Sequence, residues 1–221
     1  MARRSHAPAR TLGPIASEAG TALGREPRQA RDRDQRARVG YGVNFDFDAT
    51  QIRQLLDELD ERLRAAGIAA TVYVVGGAAI SLHLPETERR TQDIDGITSE
   101  VRLAEIIAQM ADELGLPEGW LNGAARPFLP PIPADALTPP TSPGLRVQLA
   151  SLEQLLAMKL AAGRARDRGD IVALANALQV DPDEAILLTH EAYGTDALEL
   201  LTTLEDVKSD AHALIPRRPK H

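Results

Sequence analysis

The stretch Thr71-Val72-Tyr73-Val74-Val75, closed by Gly76-Gly77, limits the fold of this chain more than any other. Five β-branched or aromatic residues in a row, short and continuous in apolar character, suit a buried strand. A tight turn is expected at the two glycines. Upstream, Ile52, Leu55, Leu56, Leu59 and Leu63 recur at helical spacing, with Asp48 placed to cap the helix and Gly67 to stop it. Downstream, Ala78 to Leu84 suits a brief helix, 85–90 a polar loop, and Thr91 to Ile97 a second strand. Leu103, Ile106, Ile107, Met110 and Leu114 repeat the helical template.

Seven prolines fall within residues 124–143, which excludes both a helix and a central strand there and predicts a loop or flap. Leu145 to Leu149 alternates as a third strand. Everything after Ser151 reads as two to four helices punctuated by Gly163, Gly169, Pro182 and Gly194. The expected fold is α+β, a small mixed sheet with helices and a mainly helical C-terminal half. Expected boundaries are a tail over 1–42, a core over 43–150, and a helical part over 151–215 that completes the site.

Charge separates tail from body. Residues 1–40 hold nine Arg and four acidic residues; with −7 for the whole chain, the remainder carries −12. The tail has no apolar period and too few core formers to offset ordering entropy, so disorder is expected. It reads as a solvated extension, with RNA phosphates as the alternative contact for its arginines. The chain of 221 residues has no cysteine, which excludes disulfides, thiolate zinc sites, iron–sulfur clusters and cysteine nucleophiles. No apolar run reaches the roughly 18 residues of a membrane span, and none reads as a signal peptide. A cytoplasmic location is expected.

Two groups of residues carry chemistry. Alternation on a strand turns Asp93 and Asp95 to one face with Ile94 behind them, so both carboxylates converge on one small volume. Such a pair suits Mg²⁺, which takes one or two carboxylates and completes its shell with water and phosphate oxygens. Asp-x-Asp also occurs at 32/34, 46/48 and 181/183, and the apolar framing of Asp93/Asp95 sets it apart. The preceding glycines permit close backbone approach, and a helix opening after them aims free N–H groups at a triphosphate. The second group surrounds Lys159, one of three lysines against 22 arginines, beside an apolar stripe from Leu152 to Met158. It reads as a positioned cation, or as a stem snorkelling along the core.

Taken in order, Val74-Val75-Gly76-Gly77-Ala78-Ala79, Arg89-Arg90-Thr91-Gln92-Asp93-Ile94-Asp95 and Leu155-Leu156-Ala157-Met158-Lys159-Leu160, with Arg164, Asp167 and Asp170, resemble the polymerase-β-type nucleotidyltransferases. Within that superfamily the chain is most similar to the AbiEii/MenT-like branch of bacterial toxin–antitoxin and phage-defence loci. Gly119-Trp120-Leu121-Asn122 and Pro127-Phe128-Leu129-Pro130 look like the middle of that group, and the likeness covers roughly residues 45–180.

The resemblance implies roles position by position. Gly76 and Gly77 match the glycine turn against the triphosphate, Asp93 and Asp95 the metal pair, and Lys159 the lysine that meets phosphate. Asp167 or Asp170 matches an acid that orients Lys159 or Arg164 or helps activate the acceptor. Arg89 and Thr91 flank the metal pair, Arg89 facing phosphate or forming a structural ion pair. The implied reaction is Mg²⁺-dependent transfer of a nucleoside monophosphate from NTP to an acceptor hydroxyl. A tRNA 3′ end is favoured, a protein hydroxyl is the same chemistry, and growth inhibition would be countered by a cognate antitoxin.

One departure is visible. Many members of that superfamily carry a third carboxylate on a later strand, whereas Leu145–Leu149 offers Arg146 and Gln148, with Glu153 as a substitute just beyond. A noncatalytic nucleotide-sensing or protein-binding module is therefore the alternative. No phosphate-loop, dinucleotide-fold or zincin motif occurs. His83 and His190 are isolated and read as structural, and Trp120 reads as a base-stacking platform or a packing anchor.

Overall fold

A computed structural model describes residues 45–218. The tail expected over 1–42 lies outside the described residues. The first helix, α1 (Ala49–Ala65), begins where Asp48 accepts from the Thr50 and Gln51 amides while the Gln51 side chain accepts from the Asp48 amide. This reciprocal cap satisfies donors the first turn would leave unpaired. The helix buries Ile52, Leu56, Leu59 and Leu63, each worth roughly 1.5–3 kcal/mol on leaving water.

Strand β1 (Ala69–Val74) lies inside the sheet and is buried along nearly its whole length, which explains its unbroken apolar character. It pairs antiparallel with β2 (Ile94–Ile97) and parallel with β4 (Gly144–Leu149), from Ala69↔Gly144 to Val74↔Leu149. A two-residue strand, β3 (Leu121–Asn122), extends the sheet beyond β2 in parallel, giving the order β3-β2-β1-β4. The fold is α+β with a mixed four-stranded sheet and seven α-helices among the described residues.

Two local expectations need correction, and the alternatives left open for Trp120 are decided. The glycines do not form a separate turn: α2 (Gly76–His83) starts at Gly76 itself, immediately after Val75. The second strand is shorter than Thr91–Ile97, so Asp93 lies just before β2 and only Asp95 lies within it. Trp120 is wholly buried and donates its indole N–H to the Ile107 carbonyl, 3.2 Å away. It is a packing anchor beside α3 (Leu103–Leu114), out of reach of a base.

The proline-rich stretch is a loop apart from one 3₁₀ turn at Arg126–Phe128. Four helices follow: α4 (Leu152–Ala162), α5 (Arg168–Leu178), α6 (Pro182–Glu199) and α7 (Leu204–Leu214). Gly169 punctuates nothing, lying in the first turn of α5, whereas Gly194, at φ 70° and ψ 170°, kinks α6. Helix α4 packs against α2, α5, α6 and α7, which brings its Lys159 toward the β1–α2 junction.

Candidate active site

A cleft of about 640 Å³ opens where β1 passes into α2. Gly76, Gly77, Arg89 and Thr91 line it from the N-terminal half, along with Asp93 and Asp95. From the C-terminal half come Lys159, Arg164 and Asp167. Asp170 sits one step behind, reached through Arg89 and Lys159.

Asp95 is held by main-chain geometry. Its carbonyl accepts from the Val75 amide at 2.9 Å, which ties β2 to the start of α2. A Cβ on Gly76 would lie 2.7 Å from Asp95 Oδ2, and Gly76 sits at φ +61°, so only glycine brings the helix start this close to the carboxylate. No side chain caps α2, whose first amides therefore stay available to an anion beside the acids. Burial, then the neighbouring Asp93 charge, pushes the Asp95 carboxyl up; the Lys159 and Arg164 charges and a hydrogen bond from the Ala125 amide pull it back only in part.

Asp93 is fixed by a residue the sequence reading quoted but assigned no role. Asn122 Nδ2 donates to Asp93 Oδ2 and to the Gly119 carbonyl, both at 3.0 Å, and Asn122 Oδ1 accepts from the Ala124 amide at 2.8 Å. Sheet register sets Asn122 opposite Asp95. The signal available was weak, since two residues of strand carry no period.

Among the described residues, neither Asp93 nor Asp95 is in a salt bridge, and no third Asp, Glu, His or Cys joins them. Two hard oxygen donors pressed together without a paired cation fit Mg²⁺, which would complete its shell with water and phosphate. Strand β4 carries Arg146 and Gln148 and no acid. Glu153 is exposed in the first turn of α4 and does not line the cleft.

The cationic side is organised in the reverse way. Lys159 Nζ lies 2.7 Å from Asp167 Oδ1 and 2.8 Å from Asp170 Oδ2. Arg89 clamps Asp170 with two parallel bonds, Nε to Oδ1 at 2.6 Å and Nη2 to Oδ2 at 2.9 Å. Burial of Asp170 opposes its charge, yet the hydrogen bonds from Arg89 and Lys159 outweigh it and hold the carboxyl below its ordinary range. Gly77 makes room for this network: a Cβ there would lie 2.5 Å from Arg89 Nη1 and 2.8 Å from Thr91 Oγ1. Arg89 and Asp170 are 81 residues apart in sequence, so only the fold reveals their pairing.

The isolated histidines stay outside the cleft. His83 Nε2 is 2.9 Å from the Ala150 carbonyl, and His190 Nε2 is 3.1 Å from Thr195 Oγ1.

Comparison with known proteins gives one match. A family model described as a nucleotidyltransferase of unknown function (DUF6036) covers residues 50–206. No curated protein and no solved structure matches.

Proposed function

The chain belongs to this family of nucleotidyltransferases, and from that premise we propose that it moves a nucleoside monophosphate from NTP to an acceptor hydroxyl. The observation that carries the reading is the convergence of Asp93 and Asp95 with the held ammonium of Lys159 on one cleft. In the transfer, the acceptor oxygen bonds to the α-phosphorus, the bond to the departing pyrophosphate breaks, and the hydroxyl proton passes to solvent water. Asp93 and Asp95 would hold Mg²⁺, which would supply polarisation of the phosphate and a lowered pKa for the attacking hydroxyl.

The rest is done by this chain's own groups. The first amides of α2, with Lys159 and Arg164, bind and orient phosphates. Asp167 and Asp170 keep the Lys159 ammonium in one place, so no side chain has to be ordered as charge builds on the leaving group. Arg89 acts through Asp170, whose two carboxylate oxygens take its guanidinium, and lines the cleft where it would also meet phosphate.

The acceptor is a tRNA 3′ end in this reading, with growth arrest and a cognate antitoxin as consequences. Its support is the likeness of the ordered motifs to the AbiEii/MenT-like branch. A protein hydroxyl would be modified by the same chemistry. A second reading, a nucleotide-sensing module without turnover, is favoured by the absence of a third carboxylate among the described residues.

Incubation with Mg²⁺, each labelled NTP and either total tRNA or cell protein decides between them, alongside Asp93→Ala and Lys159→Ala. Label on an acceptor that vanishes in both variants supports transfer and names the acceptor class. NTP binding without transfer supports the sensing module. Growth after induced expression tests toxicity separately.

A further inference from the structure

Among the described residues only one aromatic side chain is exposed, Phe128 at 43%, and it lines the cleft that holds the acidic pair. Its surroundings hold it in place. It closes the 3₁₀ turn Arg126–Phe128, whose Pro127 restricts the backbone. Its carbonyl accepts from the buried Tyr193 hydroxyl at 2.7 Å, and its amide donates to the Ala125 carbonyl at 2.9 Å. Ala125, three residues before the ring, lines the same cleft as Phe128 and Asp95.

The Arg164 guanidinium stands 5.6 Å from the Phe128 ring centroid, within cation–π range. Its charge also acts on Asp95. One cation therefore stands over the ring and lines the cleft that holds the acidic pair. An exposed ring costs hydrophobic free energy unless something covers it, and its place in a polar cleft is poorly suited to a protein partner's apolar surface. Planar bases stack on aromatic rings and on arginine planes with little sequence preference.

We propose that the Phe128 ring, braced by the Arg164 guanidinium, clamps the nucleobase of the NTP by stacking. The proposal rests on the nucleotide-transfer reading of this cleft and adds where the base lies. Binding through such a clamp discriminates weakly among the four bases, because every base offers a π-face.

The test is equilibrium binding by calorimetry with the full chain and Mg²⁺, comparing each NTP with inorganic tripolyphosphate. The variants are Phe128→Ala and Phe128→Trp, with thermal melts as the check on folding. Phe128→Ala is expected to weaken NTP binding about ten-fold or more while leaving tripolyphosphate unchanged, and Phe128→Trp to restore it. Unchanged NTP affinity in Phe128→Ala, or equal loss for both ligands, overturns the clamp alone. If that variant instead binds NTP normally and shows a raised KM for RNA, the ring serves the acceptor and the proposal fails. A wild-type chain that binds no NTP removes the transfer reading and the clamp with it.

Discussion

Two groups of charge face the same cleft and are built on contrary rules. Asp93 and Asp95 are like charges set by an amide from Asn122 and by a close glycine, with no cation bonded to either among the described residues. Arg89, Asp170, Lys159 and Asp167 are two cations and two anions in direct contact, with side chains no more than 22% exposed. The second group is electrically closed and can hold a shape in the absence of ligand. The first is open: Lys159 and Arg164 offset its repulsion only in part, and a cation brought in from outside would relieve the rest. Activity and stability should therefore separate between the two groups.

The largest expected effect is on the open pair. Asp95→Asn should reduce transfer by at least about a hundred-fold, the scale on which losing one preorganised electrostatic stabiliser is felt. The same change removes a half-buried charge that its neighbour repels, so the melting temperature should stay level or rise. Single-turnover transfer and a thermal melt on one preparation check both halves. A lower melting temperature would mean the pair is structural, and the contrast would be lost.

The closed group should respond oppositely. Asp170→Asn removes the negative charge and one of the two acceptor oxygens that serve Arg89 and Lys159, leaving partly buried cations under-compensated at a cost of about 3 kcal/mol in stability. Acid should act in the same direction. The folded Asp170 carboxyl titrates below its unfolded value, so its contribution is fully present above the ordinary carboxylate range and is lost as pH falls through the lower folded value. Urea unfolding across that acidic window should show a slope in the wild type that Asp170→Asn flattens. Equal slopes would show that the network does not stabilise the fold.

A smaller effect is expected where helix and acid meet. Gly76→Ala places a methyl 2.7 Å from Asp95 Oδ2 on a residue at φ +61°, costing about 1 kcal/mol of backbone strain. The carboxylate must give by a fraction of an ångström, and transfer should fall roughly ten-fold. Unaltered kinetics would place the reacting atoms away from this contact.

The legible parts of the molecule were those whose cause is local. The cap at Asp48, the apolar period of α1 and the buried run of β1 each follow from neighbours within a few residues. Asp93, Asp95 and Lys159 were picked out by residue type and framing, and the fold sets all three on the same cleft. What stayed hidden depends on distant partners or on segments too short to carry a period. Asn122 belongs to a two-residue strand, and Arg89 meets Asp170 across 81 residues. The start of α2 at Gly76 was misread because glycine at positive φ usually marks a turn, whereas here it admits Asp95 beside a helix.

The smallest effect tests whether the open pair is complete with two acids. Glu153 is the acid nearest in sequence to the strand that lacks one, yet it is exposed and its helix is capped by Ser151 and Gln154. Its charge interacts with the N-terminal end of α4, so Glu153→Gln should lower stability by about 0.5 kcal/mol and leave transfer and its Mg²⁺ dependence unchanged. A Mg²⁺ titration of the transfer rate reads this directly. A shift of that titration toward higher Mg²⁺ would make Glu153 a third acid of the site, and the open group could no longer be described as a pair.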